Sequence, residues 1–293
     1  MTKQPDIICI GSFLWDIIGR ANNHMRIGSD VPGRITRLPG GVALNIAMTL
    51  KQFGMTPTAL SAIGQDAEGH ELIAEIQRMG IQCDHVYRSD DLPTDVYMAI
   101  EGANGLIAAI ADAHSLEAAG EKILRPFRDG SLPIKGRPIA LDGNLTVELL
   151  QSIAEDPFFN DADIRVAPAS PGKAQRLSTF IGHGSTTLYV NLEEAGLLCN
   201  TEFSESAAAA VALVEKGANR VLVTDGGASV SDANGSSVIT NTPPSVLVTR
   251  VTGAGDTFMA AHIAAEVGGA AREDALTRAL KAAATYVSGE TPS

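Results

Sequence analysis

Val251-Thr252-Gly253-Ala254-Gly255-Asp256-Thr257-Phe258 sets two glycines and an aspartate directly ahead of an apolar, alanine-rich run. Gly253 and Gly255 let the backbone approach a ligand closely, and the first N–H groups of a helix beginning here have no partner within it. Together with the helix dipole they make a place for an anion. A migrating phosphoryl group needs such a place, because its charge spreads over its oxygens. Asp256 stands at the edge, where a carboxylate can accept the proton of an attacking hydroxyl. The same residues also describe an ordinary glycine turn capped by an aspartate, and on this stretch alone the two readings stand level. No Gly-Lys-Ser/Thr follows, so the turn is not a Walker A loop. A strand over 245–249 is expected to lead into it, and a helix over 256–267 to leave it.

Upstream, DIICI (6–10), TALSAIG (58–64), PIALD (138–142), DIRVA (163–167), TLYV (187–190) and RVLVT (220–224) are short apolar runs that read as buried strands. Helical periodicity marks 41–53, about 67–78, 146–154, 171–181, 204–216 and 272–287. In the first of these Val42, Ile46, Leu50 and Phe53 share a stripe and Gly54 supplies the stop. Short strands alternating with helices predict an α/β fold whose parallel sheet is covered on both faces. Residues 229–249 read as a return to antiparallel hairpins.

Two stretches break that rhythm. VYMAIE (96–101) and LIAAIAD (106–112), joined by Ala103-Asn104-Gly105, carry a hairpin signal. Residues 12–38 are polar and irregular. Segments of about 12–38 and 94–112 are expected to pair into a small β lid over the carboxyl ends of the main strands, where open parallel sheets take their ligands. A lid there excludes water from a transfer reaction. With no linker or repeat, residues 1–293 read as a single domain.

Composition narrows the choice of ligand. The chain has 293 residues, 45% hydrophobic and 19% charged, so a packed core is expected, and its net charge of −12 does not gather nucleic acid or anionic membrane. Small molecules are the expected partners. Cys9, Cys83 and Cys199 form neither a disulfide framework nor a CxxC pair and read as small core residues. MTKQPDIICIG is not a basic segment followed by an apolar stretch, and no apolar run approaches the ~20 residues that span a bilayer. A cytoplasmic location is expected.

A second glycine element, Pro39-Gly40-Gly41-Val42-Ala43-Leu44-Asn45, also opens a helix. Alone it reads as a glycine-led helix start with a buried asparagine. Taken in order with Gly253-Ala254-Gly255-Asp256, it resembles the paired signatures of the ribokinase-like carbohydrate kinases, and the resemblance runs over essentially the whole chain. It implies a three-layer α/β sandwich with a mostly parallel central sheet, and phosphoryl transfer from ATP, with Mg2+, to a hydroxyl of a sugar or nucleoside. It implies Asp256 as catalytic base and Gly253, Ala254 and Gly255 as the anion hole. Asp16, Gly40, Gly41 and Asn45 are implied to hold the acceptor. In Asn191-Leu192-Glu193-Glu194 the resemblance implies a nucleotide role for Asn191 and a magnesium role for Glu194; otherwise the pair simply caps a helix. Thr224, Gly226 and Gly227 match the turn that receives the nucleotide, or form a plain strand exit. Pairing of two copies through the lid is part of the same implication.

Shorter stretches resemble the pseudouridine kinase branch: Val251-Thr252, Pro93-Thr94-Asp95-Val96-Tyr97, Ala109-Ile110-Ala111-Asp112, Asp142-Gly143-Asn144-Leu145 and Pro168-Ala169-Ser170 with Lys173-Ala174. They imply 5′-phosphorylation of pseudouridine, with Asn144 near the acceptor hydroxyl or the transferred phosphate. Phe13 and Trp15 either stack on the base or pack internally. Arg250 is a departure, since many members carry at the matching position an aspartate that helps form a monovalent-cation site. The alternatives are another sugar or nucleoside kinase (ribokinase-like or ketodeoxygluconate-like), a non-catalytic binding protein, which leaves Asp256 without a use, and a Rossmann-type oxidoreductase. The last lacks its Gly-x-Gly-x-x-Gly after Gly11.

Overall fold

Runs such as IICI have no polar face to show water, so the strands they form must be covered on both sides. The computed structural model describes residues 4–134 and 136–292; the first three residues of the stretch read for a leader lie outside these. In chain order the elements are β1 (Ile7–Ile10), β2 (Leu14–Arg20), β3 (Arg34–Gly40), α1 (Val42–Gln52), β4 (Pro57–Leu60), β5 (Ala62–Gly64), α2 (Ala67–Arg78), β6 (Tyr87–Ser89), β7 (Val96–Gly102), β8 (Gly105–Asp112), α3 (His114–Ala119), α4 (Arg125–Arg128), β9 (Ile139–Asp142), α5 (Val147–Glu155), β10 (Ile164–Ala167), β11 (Thr186–Asn191), α6 (Leu192–Cys199), α7 (Ser206–Glu215), β12 (Arg220–Thr224), β13 (Val230–Asn234), β14 (Ser237–Asn241), α8 (Ala254–Val267) and α9 (Arg272–Val287).

The main sheet runs β14-β13-β12-β11-β10-β9-β1-β4. From β12 to β4 the strands are parallel, and β13 and β14 add an antiparallel edge. Side chains alternate across it. Ile8, Ile10, Leu141 and Val166 enter the core under α5, α6 and α7, while Ile7, Cys9, Ala140 and Leu222 enter the one under α1, α8 and α9. This is the expected three-layer α/β sandwich. No helix among the described residues is long and apolar enough to cross a membrane. A second sheet, β3-β2-β7-β8, is built from residues of the 12–38 and 94–112 segments, with β2 and β7 parallel.

Several expectations change. Residues 12–38 are not irregular throughout, since they hold β2 and β3. The 58–64 run splits at Ser61, whose hydroxyl donates to Gly11 O at 2.6 Å while β5 leaves the main sheet to pair with β6. The 171–181 segment is a 3₁₀ helix, Pro171–Phe180. No strand forms over 245–249, and the region holds one hairpin, because Pro243 and Pro244 remove two N–H donors just where β14 ends. α8 begins at Ala254, so Gly255 and Asp256 lie inside its first turn.

Candidate active site

α1 and α8 meet with their amino ends together. Gly41 precedes α1 with φ 98°, and a Cβ there would lie 2.5 Å from Ser12 O, so only glycine fits. The Ser12 hydroxyl accepts from Val42 N at 3.0 Å and so caps the helix. The helix buries Leu44, Ile46, Ala47 and Leu50, and Asn45 is a half-buried polar residue in its first turn. Its Nδ2 donates to Asp256 Oδ2 at 2.9 Å. Gly253 precedes α8 with φ 87°. The first bond of the helix is Thr257 N to Gly253 O, which leaves the N–H groups of Gly255 and Asp256 ahead of it. A Cβ on Gly255 would meet nothing within 4 Å, so this turn faces open space.

Asp256 is half-buried. Burial pushes its pKa up to about 7, the Asn45 hydrogen bond opposes the rise, and the charges of Asp142, Asp16 and Glu194 add to it. A carboxylate poised near neutrality is suited to taking a proton and giving it up again. Asp16 lies on β2 beside Leu38 of β3 and Tyr97 of β7. Burial raises its pKa to about 6. A Cβ on Gly40 would fall 2.0 Å from Asp16 Oδ2, so that glycine makes room for the carboxylate.

Trp15 and Phe13 do not offer rings to a ligand. Both are buried, Trp15 Nε1 donates to Glu68 O at 2.9 Å, and the Arg37 guanidinium lies 3.7 Å from the Trp15 ring centroid. Strand alternation turns Trp15 away from Asp16. The ring that shares the Asp16 face is the half-buried Tyr97, whose pKa is raised by burial and then by the charges of Asp16 and Glu101. Asp95, two residues earlier, is spent on the amino end of α3, accepting from Ser115 N at 2.8 Å and Leu116 N at 3.0 Å.

At the ends of β1 and β9 the fully buried Asp142 organises a polar knot that sequence reasoning missed. It accepts from Ser12 N and Asn144 N, both at 2.8 Å, and from the Ser12 hydroxyl. Asn144 Nδ2 reaches Ser12 Oγ at 3.1 Å, and Lys173 Nζ donates to Asn144 Oδ1 at 2.5 Å. Burial and the nearby Arg176 lower the Lys173 pKa. This knot ties Asn144 and an ammonium group to the serine that caps α1. A Cβ on Gly11 would strike Asp142 Cβ at 2.2 Å, and that glycine was the signal for the close approach.

Two strands further along the same edge, Asn191 and Thr224 sit side by side at the ends of β11 and β12. Asn191 and Glu194 form a reciprocal capping box on α6, each bond 2.8 Å. Glu194 is buried, which raises its pKa to about 7, and the cap occupies its Oε2. Gly226 and Gly227 lie in an exposed turn after β12. A cleft of about 540 Å³ runs between residues 241–246 and the Thr277, Leu280, Lys281, Ala284 face of α9.

The far end of α8 is bolted down by charges. Glu266 accepts from Arg165 at 2.5 Å and from Arg220 at 2.7 Å, and Arg220 and Arg272 both reach the fully buried Asp232. The fully buried His262 exchanges a 2.8 Å bond with Tyr189 OH; burial lowers its pKa to about 4, so it stays neutral. A helix anchored at Glu266 presents Asp256 from a rigid base.

Residues 4–292 match the family described as pfkB family carbohydrate kinase. The pseudouridine kinase of Escherichia coli K12 is 28% identical over 266 residues, covering 89% of this chain and 83% of that protein. An uncharacterized sugar kinase of the same organism, YeiI, is 29% identical over 266 residues, 89% of this chain and 72% of that protein. A solved ribokinase from Thermotoga maritima shares the fold with a TM-score of 0.79 at 21% identity, over 97% of this chain and 93% of that one.

Proposed function

The chain belongs to the pfkB family of carbohydrate kinases, which act on hydroxyls of sugars or nucleosides, and on that footing we propose that it transfers the γ-phosphoryl group of ATP to the 5′-hydroxyl of pseudouridine. The observation that carries the site assignment is Asp256, held by Asn45 Nδ2 at 2.9 Å on the amino end of a buried helix whose first turn faces open space. In the proposed step Asp256 accepts the proton of the acceptor hydroxyl. A bond forms between that oxygen and the γ-phosphorus, the bond to the β,γ-bridging oxygen breaks, and ADP leaves with its electron pair. The Gly253–Gly255 turn receives the charge on the phosphoryl oxygens.

The acceptor lies between Asp16 and Asn45, which hold ribose hydroxyls, with Gly40 and Gly41 bringing the backbone close. Tyr97, on the Asp16 face of the small sheet, is the surface for a flat base. Asn144 and Lys173 lie toward the transferred phosphate. The nucleotide runs along the edge past Asn191, Thr224, Gly226 and Gly227. Neighbouring strands are about 4.8 Å apart, so β1 to β12 spans roughly 20 Å of sheet edge along which acceptor and nucleotide lie.

Magnesium fits Glu194, a buried carboxylate with one oxygen not spent on the cap. Among the described residues no three acidic, histidine or cysteine side chains gather to hold an ion by themselves. Bound through Glu194, the ion would supply charge neutralisation beside the phosphates. The small sheet acts as the lid. Its face away from Asp16 carries Ile35, 76% exposed, and Ile110, 70% exposed, with Met98 and Ile100, which supports a second copy covering it.

The similarity to the Escherichia coli pseudouridine kinase and the branch-like stretches support the acceptor. An equal similarity to a sugar kinase favours a second reading, phosphorylation of a free sugar. An ATP-consumption screen over pseudouridine, uridine, adenosine, ribose and common hexoses decides between them. Pseudouridine is expected to give the highest kcat/KM, with activity lost on chelating magnesium; preference for ribose or a hexose replaces this acceptor with the second reading.

A further inference from the structure

We propose that Arg250 is a positioning residue for transfer, a tethered cation that fixes the Val251–Gly255 turn against the carboxyl end of α9. The proposal rests on the reading of Gly253–Gly255 as the anion hole. No strand leads into that turn, so something else must hold it, and the bonds it makes go to α9. Thr249 N and Arg250 N donate to Val287 O at 2.8 and 3.3 Å. Arg250 Nε donates to Tyr286 O at 2.8 Å and Nη2 to Glu290 O at 3.2 Å, with the guanidinium 3.8 Å from the Tyr286 ring centroid. Tyr286 OH in turn donates to Thr252 O at 2.9 Å, and a Cβ on Gly253 would lie 2.6 Å from the phenol oxygen of Tyr286. One phenol ring is thus held between the guanidinium and the turn that opens α8.

The chemistry explains the choice of residue. Carbonyl oxygens at the end of a helix carry partial negative charge, and those of Tyr286, Val287 and Glu290 converge here. A free monovalent cation can neutralise such oxygens but must first be bound. A guanidinium brings a permanent charge, two donors at fixed angles and a flat face for the tyrosine. Lysine keeps the charge and loses the fork and the stacking. The wild-type turn is therefore set without a monovalent ion, and a chain lacking the guanidinium leaves these oxygens to one.

The test compares wild type, Arg250→Ala, Arg250→Lys and Asp256→Asn at saturating ATP and magnesium. Tetramethylammonium is first the sole monovalent cation; potassium or guanidinium then replaces it at constant ionic strength. Turnover, acceptor KM and melting temperature are read for each. Wild type is expected to ignore potassium. Arg250→Ala is expected to lose kcat by on the order of 10- to 10²-fold with little change in acceptor KM, the scale of a small misplacement, and to recover with potassium or guanidinium. Arg250→Lys falls between, and carries the test if the alanine variant does not fold. The proposal is overturned if Arg250→Ala keeps wild-type kcat, if its loss is not restored by either ion, or if potassium activates wild type several-fold. If Asp256→Asn keeps most of its turnover, the reading of the turn falls and this proposal with it. An inactive Asp256→Asn beside an unimpaired Arg250→Ala removes the Arg250 proposal alone.

Discussion

Replacing Asp256 with asparagine is expected to stop transfer and, at the same time, to make the protein harder to melt above neutral pH. The carboxyl titrates at about 7 in the folded chain, against about 4 when unfolded. The folded state therefore holds this proton more tightly, and the group's contribution to stability falls as pH rises from about 4 to about 7. Taken in full the difference amounts to about 4 kcal/mol. Asp256 is only half-buried and water screens it, so about 1–2 kcal/mol is the working figure. Asparagine removes the charge, keeps the shape and can still accept from Asn45. In a chain of this size each kcal/mol moves the melting temperature by roughly 2 °C, so the variant is expected to melt about 2–4 °C higher near pH 8. The gain should shrink toward about pH 5.5, where the wild-type carboxyl is protonated in the fold. Loss of the base should cost about 10²–10⁴ in kcat while ADP affinity is largely kept. Calorimetric melts at the two pH values, with turnover and ADP titration on the same preparations, read all of this. A variant that melts below wild type near pH 8, gains equally at both pH values, or keeps more than about a tenth of its turnover refutes the reasoning.

The other predictions use the same geometry. kcat/KM should rise with pH through about 7 as Asp256 loses its proton, and Asn45→Ala, which removes the bond that lowers this pKa, should move the limb to higher pH; pH–rate profiles check both, and an unmoved limb contradicts them. Acceptor binding should slow amide exchange in residues 14–20, 34–40 and 96–112, because a cover that excludes water must order on closing; hydrogen-exchange mass spectrometry that finds these segments unchanged argues against closure.

Much of the fold was legible because its strands carry their burial openly. Ile7 to Ile10 and Ile139 to Leu141 are buried throughout, and a short apolar run bounded by turn residues fits a strand covered on both faces. The two glycine elements were legible for a backbone reason, since Gly41 and Gly253 hold positive φ at helix starts. The strand expected over 245–249 failed because apolarity outweighed Pro243 and Pro244 in the reading. For Trp15, stacking on a base and internal packing stand level in the sequence, because an aromatic beside Asp16 carries no mark of which face it takes. The register that sends it to the Glu68 side is set by β3 and β7. The Ser12–Asp142, Ser12–Asn144 and Asn144–Lys173 contacts and the Arg165–Glu266 pair join residues 29 to 132 positions apart, and single polar or charged residues at that separation carry no sign in the sequence that they meet.

What leaves the active site identifies the reaction. Wild type should be incubated with ATP, magnesium and pseudouridine, and the product examined by phosphorus NMR with proton coupling. One new phosphomonoester resonance coupled to the 5′-methylene protons is expected, formed in step with ADP and absent with Asp256→Asn. ADP without a phosphorylated nucleoside, phosphate on another hydroxyl, or the same product from Asp256→Asn would contradict the proposed transfer.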